Sequence, residues 1–286
     1  MKLARFNDHR LGLLQGDVLT DVTAALAHLP SARYPFPRHD IFIEHLPFLR
    51  PFIQECAQSG QTHALQDVSL LSPVANVGKV VAAPVNYQRH MEEVLAQRDI
   101  HHGNLIHEIH KAGLFLKASS SVIGAGHAIE LVHTDRRNDH EVELAVVIGK
   151  AGRGVQLQEA LSHVAGYCIG LDITLRGPEE RSLRKSPDTY TVLGPYLVTA
   201  DELGDPGALD LSLHVGDELR QQANTRELIL GVAELIVFAS SFYTLHPGDV
   251  LITGTPQGVG PIVAGDTLHA RIQGIGAMSV RVAAAA

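Results

Sequence analysis

Residues 138–149 read NDHEVELAVVIG, and this stretch restricts the fold more than any other. A run of small and β-branched apolar residues ending in a glycine describes a strand entering a core. Side chains two apart on a strand point to the same side. Glu141 and Glu143 therefore stand together beside a segment about to be buried. Two unpaired anions in that position would repel and lose hydration, at a cost of roughly several kcal/mol each. The fold has to bring something positive to them.

Strand-like stretches recur through the second part of the chain: KVVAAPVNY, AGLFLKASSSVIGAG, IGLDITLRG, PGDVLITGTPQGVG and GDTLHARIQGIGAMSVRV. Helical spacing shows in QRHMEEVLAQR, in LQEALSHVAGYC and in LILGVAELIVFASSFY, the last being the longest helix by pattern. Strict strand–helix alternation is absent. The expected class is α+β, mainly β, not a doubly wound sheet. The texture changes from Lys79. Before it, MKLARFNDHRLGLLQGDVLTDVT patterns as a meander of short strands followed by a helix near residues 24–28. A Pro-rich connection leads into EHLPFLRPFIQECAQSG, helical in two parts with a break at its prolines. The reading is a small N-terminal α/β domain over residues 1–75, joined by a linker at about 66–78 to a larger domain over 76–286.

The formal charge of −8, with no local block of Lys and Arg, argues against a nucleic-acid or anionic-membrane partner, both of which need a basic patch. Two cysteines, Cys56 and Cys168, make neither a disulfide framework nor a closely spaced metal pair. The N-terminal stretch carries no apolar core of signal-peptide length. ELIVFASSFYTL is short of the roughly 20 apolar residues that span a bilayer. The expected location is the cytoplasm.

A third carboxylate sharpens the opening question. Asp172 lies in CIGLDITLR, a second apolar strand, where a bare acid is costly. Three carboxylates from two strands form an oxygen site for Mg²⁺ or Mn²⁺; Zn²⁺ would call for His or Cys among its ligands. Glu141, Glu143 and Asp172 are thus the candidate ligands. In NYQRHMEE, His90 and Glu93 are i and i+3 on a helix, so the acid can orient an imidazole base. The ordinary alternative is a helix-surface pair with Asn86 as the N-cap. Lys185 is either a surface lysine or a clamp for an anion. The turn holding Thr253 and Thr255 is either a simple tight turn or a cradle for a carboxylate. HHGNLIHEIH carries His101, His102, His107 and His110 at a spacing one residue short of the zinc motif HExxH. It reads as a solvated segment, or as a lid that contributes a histidine.

In order, these motifs resemble the fumarylacetoacetate hydrolase family. Asn86, Tyr87, His90 and Glu93 match its Asn-Tyr-x-x-His-x-x-Glu pattern, and Phe115, Leu116 and Lys117 its FLK strand. Glu141, Glu143 and Leu144 match Glu-x-Glu-Leu, while Gly166, Tyr167, Asp172 and Arg176 match the next segment. Lys185, Asp188, Thr189 and LGP follow, then RQQANT and LHPGDVLITGTPQGVG. The likeness covers about residues 79–282. The connection from Asp172 to Lys185 is short, Ala118 replaces a frequent proline, and residues 94–113 are longer than in compact members.

The resemblance implies a mixed β-roll catalytic domain, an added N-terminal domain and a homodimer. It implies one Mg²⁺ or Mn²⁺ per subunit on Glu141, Glu143 and Asp172, and a water-activating dyad of His90 and Glu93. Lys185 would act in catalysis, and Tyr87, Arg176, Lys185 and Thr255 would hold oxygens of a small anionic 2-oxo acid. The expected reaction is hydrolysis of a carbon–carbon bond in an acylpyruvate such as fumarylpyruvate, in aromatic catabolism. Decarboxylation or keto–enol isomerisation of a 2-oxo diacid is the rival reading. A non-catalytic ligand-binding protein is the third.

Overall fold

The computed structural model describes residues 1–97, 100 and 108–285. His101, His102 and His107 lie outside those residues, whereas His110 belongs to the short helix Ile109–Ala112. The architecture is α+β and mainly β, as the sequence pattern indicates.

The strand Val142–Ile148 is buried at every position, and its alternation divides two cores. Leu144, Val146 and Ile148 pack into one cluster with Tyr167, Ile169 and Leu171. Ala145 and Val147 pack into the other with Cys168, Leu193 and Leu197. Each fully buried Val, Leu or Ile contributes about 1.5–3 kcal/mol from apolar burial, so both faces hold this strand in place. A one-residue slip would exchange them.

The main sheet runs through Lys2–Phe6, Thr191–Thr199, Val164–Asp172, Val142–Ile148, Val250–Ile252, Val80–Ala82 and Phe115–Lys117 in that spatial order. Most neighbours are antiparallel, but Val250–Ile252 pairs with Val80–Ala82 in parallel. A five-stranded sheet containing Glu218–Asn224 and Thr267–Ile272 closes the other side of the first core. The N-terminal meander is joined to the main sheet, because Lys2 pairs with Val198 and Leu3 with Leu197. Within the stretch expected as linker, Leu70–Leu71 is a strand against Arg5 and Phe6.

Three local expectations change. The helix Ile41–Cys56 runs through Pro47 and Pro51 without a break. Ile43, Leu46, Leu49 and Ile53 bury one stripe in the second core, which offsets the hydrogen bonds the prolines cannot make. At 16 residues it is longer than Val232–Phe242, which has 11. The latter is shortened because Ile229 and Leu230 extend to donate their N–H groups to Asn86. Finally, LQEALSHVAGYC is a 3-10 helix only over Leu157–His163, and from Val164 it is strand. Sheet pairing of Val164, Gly166 and Tyr167 overrides the helical spacing.

Candidate active site

Period two carries Glu141 and Glu143 onto the side of Ala145 and Val147, at the start of their strand. Asp172 closes the antiparallel neighbour, on the side of Cys168. Val142 pairs with Leu171, and the Asp172 N–H donates to the Glu141 carbonyl. The three acids therefore converge at one end of the second core. One oxygen from each lies within 4.8 Å of the others, and all three side chains are buried.

Cationic side chains meet two of these acids. Lys185 Nζ lies 2.7 Å from Glu141 Oε2, 2.6 Å from Asp172 Oδ2 and 2.7 Å from Thr174 Oγ1. Lys117, two residues beyond Phe115 on its strand, contacts the other Asp172 oxygen and donates to the Tyr190 carbonyl at 2.8 Å. Arg176 binds Glu141 Oε1 at 2.8 Å and Asp139 Oδ2 at 2.7 Å. Despite its burial, Glu141 is held well below the ordinary carboxylate range by Lys185 and Arg176.

Glu143 has no such partner among the described residues. It accepts the backbone N–H of Gly254. Burial first, then the charge of Asp172, pushes its carboxyl well above the ordinary range. Part of the positive charge that the sequence demanded is thus supplied by lysine and arginine. The remaining deficit sits at Glu143, inside a three-carboxylate cradle of oxygen donors. That donor set fits a hard divalent cation.

His90 and Glu93 lie on the helix Gln88–Ala96. His90 Nδ1 is 2.9 Å from Glu93 Oε2, and Glu93 Oε1 accepts the Gly258 N–H at 2.9 Å. Asn86 makes no helix cap. Its buried amide ties three strands of chain together, donating to the Leu230 and Thr253 carbonyls and accepting from the Leu230 N–H. His90 and Lys185 border one cavity of about 330 Å³, with Glu141 and Arg176 on its wall.

Two of the expected substrate contacts stand elsewhere. Tyr87 is buried, its hydroxyl has no hydrogen-bond partner among the described residues, and its phenol is pushed up by burial and by the charge of Glu143. Thr255 Oγ1 donates to the Val142 carbonyl at 3.0 Å and accepts from Gln221 at 2.8 Å, so this hydroxyl braces the scaffold. Neither residue borders the cavity.

Residues 79–283 match the family model described as fumarylacetoacetate (FAA) hydrolase, C-terminal. The chain belongs to the fumarylacetoacetate hydrolase family. It is an enzyme of that family, and the whole chain aligns with relatives of its own length. It is 57% identical over 284 residues to a maleylpyruvate hydrolase of Aquipseudomonas alcaligenes, covering 99% of each chain. The fold superposes with a TM-score of 0.85 and 38% identity on a maleylpyruvate hydrolase from Sphingobium sp. SYK-6, covering 100% of each chain; that structure holds manganese(II) and pyruvate. A mitochondrial oxaloacetate tautomerase of Xenopus laevis is 34% identical over 226 residues, covering 74% of this chain and 68% of that one.

Family motifs account for the acids and the dyad, but the sequence reading missed two residues. Lys117 is matched only as part of FLK, and its contact with Asp172 joins strands that are not neighbours in the sheet. Gln221, within RQQANT, is buried and accepts from the Val142 N–H at 3.0 Å while donating to Thr255 and Pro256 at 2.8 Å. It locks the strand of the acids to the loop after Ile252. A polar residue in an otherwise alternating strand was the only sequence signal.

Proposed function

We propose that the protein is a divalent-metal-dependent hydrolase that splits an acylpyruvate into pyruvate and a carboxylic acid, within aromatic catabolism. The observation that carries this reading is one cavity bordered both by an acid of the triad and by an imidazole already gripped by a carboxylate. High identity to a maleylpyruvate hydrolase over the full chain supports it.

Glu141, Glu143 and Asp172 would hold the ion, one per subunit. Mn²⁺ has support from the Sphingobium relative, and Mg²⁺ suits the same oxygen donors. A bound ion supplies Lewis acidity to the paired oxygens of a 2,4-dioxo acid.

The chain's own residues do the rest. When Nδ1 of His90 donates to Glu93, Nε2 carries the lone pair and can take a proton from water. The water oxygen bonds to the C4 carbonyl carbon, the C3–C4 bond breaks, and its electron pair moves to the pyruvate fragment as an enolate. A proton returned to C3 completes pyruvate. Lys185 would meet the enolate charge, and Arg176 would hold Glu141 in position from the cavity wall. Thr255 would act by bracing the Glu141–Glu143 strand through the Val142 carbonyl, and Tyr87 from outside the cavity lining.

The rest of the reading belongs to the same proposal: a catalytic domain over residues 76–286 with an N-terminal addition over 1–75, a homodimer, and a cytoplasmic location. Among the described residues no helix is long and apolar enough to cross a membrane. The rival is oxaloacetate-type tautomerisation, favoured by the Xenopus relative. It needs the same enolate but no attacking water.

Turnover of acylpyruvates and oxaloacetate with Mn²⁺ or Mg²⁺ in H₂¹⁸O separates them. Pyruvate plus an acid carrying ¹⁸O establishes hydrolysis. Keto–enol exchange of oxaloacetate with no acylpyruvate cleaved would replace hydrolysis by the rival.

A further inference from the structure

The loop that follows Val250–Ile252 reads TGTPQGVG over residues 253–260, and it reaches both halves of the site. Near its start the Gly254 N–H donates to Glu143. Four residues on, the Gly258 N–H donates to Glu93 Oε1 at 2.9 Å. One backbone amide thus holds an acid of the triad, and the other holds the acid that grips His90. Hydrogen bonds of this kind, to a charged acceptor, are stronger than neutral ones.

Both amides are aimed by backbone that favours glycine, with φ at +95° for Gly254 and +95° for Gly258. A Cβ on Gly258 would stand 2.0 Å from the Arg220 carbonyl oxygen, and one on Gly254 would stand 2.8 Å from the Asn86 Cβ. The span between the two glycines is pinned. Thr255 donates to the Val142 carbonyl, and the Gln221 amide nitrogen donates to Thr255 and to the Pro256 carbonyl. The Val142 N–H and, at 3.1 Å, His140 Nδ1 face the Gln221 oxygen, which leaves the amide nitrogen for the loop.

The loop also grips the dyad helix through an apolar contact. Val259 packs with Val94 and Ile100 in a small buried cluster apart from both cores. Val94 follows Glu93 on the helix Gln88–Ala96, so the amide of Gly258 and the side chain of Val259 hold neighbouring residues of that helix.

We propose that Gly258 and Val259 are positioning residues that dock the His90–Glu93 helix in a place set by Glu143, so that a cation on the acid triad tightens the dyad. This rests on the reading of the triad as an ion seat and of His90 as the base, and adds the link between them. With Glu143 fixed by an ion, the Gly254 N–H is fixed too, and the pinned loop carries that constraint to Glu93. The coupling is reciprocal, so freeing the loop from the helix weakens the ion.

Hydrogen–deuterium exchange of the full chain, with and without Mn²⁺ and without substrate, tests the link. Amides of the helix Gln88–Ala96 should exchange at least about fivefold more slowly with Mn²⁺. Gly258→Ala and Val259→Ala should lose most of that response. With Mn²⁺ saturating, both should lower kcat for an acylpyruvate by about 10–100-fold with little change in KM, and Val259→Ile should keep both properties. A merely structural role would lower the melting temperature of the variants and leave the Mn²⁺ response of the helix intact, which overturns the proposal. A wild-type helix indifferent to Mn²⁺ that calorimetry shows to be bound overturns it as well. Were Gly258→Ala not to fold, the wild type and Val259→Ala would still decide. The expected response in a protein that cleaves no acylpyruvate would remove the hydrolase reading and keep the link. Cleavage without the response would remove the link alone.

Discussion

Glu93 holds His90 from one helical turn away, with 2.9 Å between Oε2 and Nδ1, and is itself held by the Gly258 N–H. Both oxygens of the carboxylate are thus committed. Ring orientation and tautomer are set before any ligand arrives, which is the requirement for a general base.

His90→Ala should therefore lower kcat by about 10²–10⁴-fold while Mn²⁺ affinity is kept, because the imidazole stands outside the acid triad. Glu93→Gln should have a smaller effect in the same direction. Steady-state kinetics paired with Mn²⁺ calorimetry reads both. Loss of metal binding in His90→Ala would make the residue a ligand instead of a base.

Glu143 and Asp172 should respond with opposite signs in the metal-free protein. Glu143→Gln removes a buried carboxyl that has no cationic partner among the described residues, so its thermal midpoint should hold or rise. Asp172→Asn leaves Lys117 without its carboxylate and Lys185 with Glu141 alone, and removing one member of a buried ionic cluster costs about 3–5 kcal/mol. Both variants should lose Mn²⁺ affinity. Thermal melts with and without Mn²⁺ check this; a strongly destabilised Glu143→Gln would mean that the carboxylate already has a partner.

Much of this site was legible because it is local. Spacing of two put Glu141 and Glu143 on one side, spacing of three joined His90 to Glu93, and an acid in an apolar strand exposed Asp172. What escaped was non-local. Lys117 meets Asp172 across 55 residues of sequence, from a strand that is not its neighbour in the sheet. Thr255 looked like a substrate contact because a turn pattern does not say which carbonyl or amide its hydroxyl will satisfy. In the fold, two prolines and a helical spacing before Tyr167 misled for the same reason: packing on the second core and pairing in the main sheet outweighed local preference.

Gln221 is the clearest example of a support that only the structure reveals. Gln221→Leu leaves the Val142 N–H and the Pro256 carbonyl without partners in a buried setting. The expected loss is about 2–6 kcal/mol, from roughly 1–3 for each of the two unsatisfied groups. A urea titration should show the midpoint falling, with kcat falling too as the Glu141–Glu143 strand loosens. An unchanged midpoint would mean that water replaces the amide without penalty.

Cys168 supplies a test of the buried face that the acids share. Its thiol is fully buried beside Leu193 and Leu197, and burial pushes its pKa up to about 12. Only the thiolate reacts, so at pH 8 about one molecule in 10⁴ is competent even before access is considered. Cys56 is half-buried at the end of the helix Ile41–Cys56. A thiol reagent at pH 8 should therefore modify one cysteine in the native protein and two after denaturation. Raising the pH toward 10 should increase the Cys168 rate about tenfold per unit for as long as opening of the core is not the slow step, since thiolate grows with pH below the pKa. Rapid modification of Cys168 at pH 8 would show that the sheet end carrying Asp172 opens readily, and the rigid placement of the acids would then have to be abandoned.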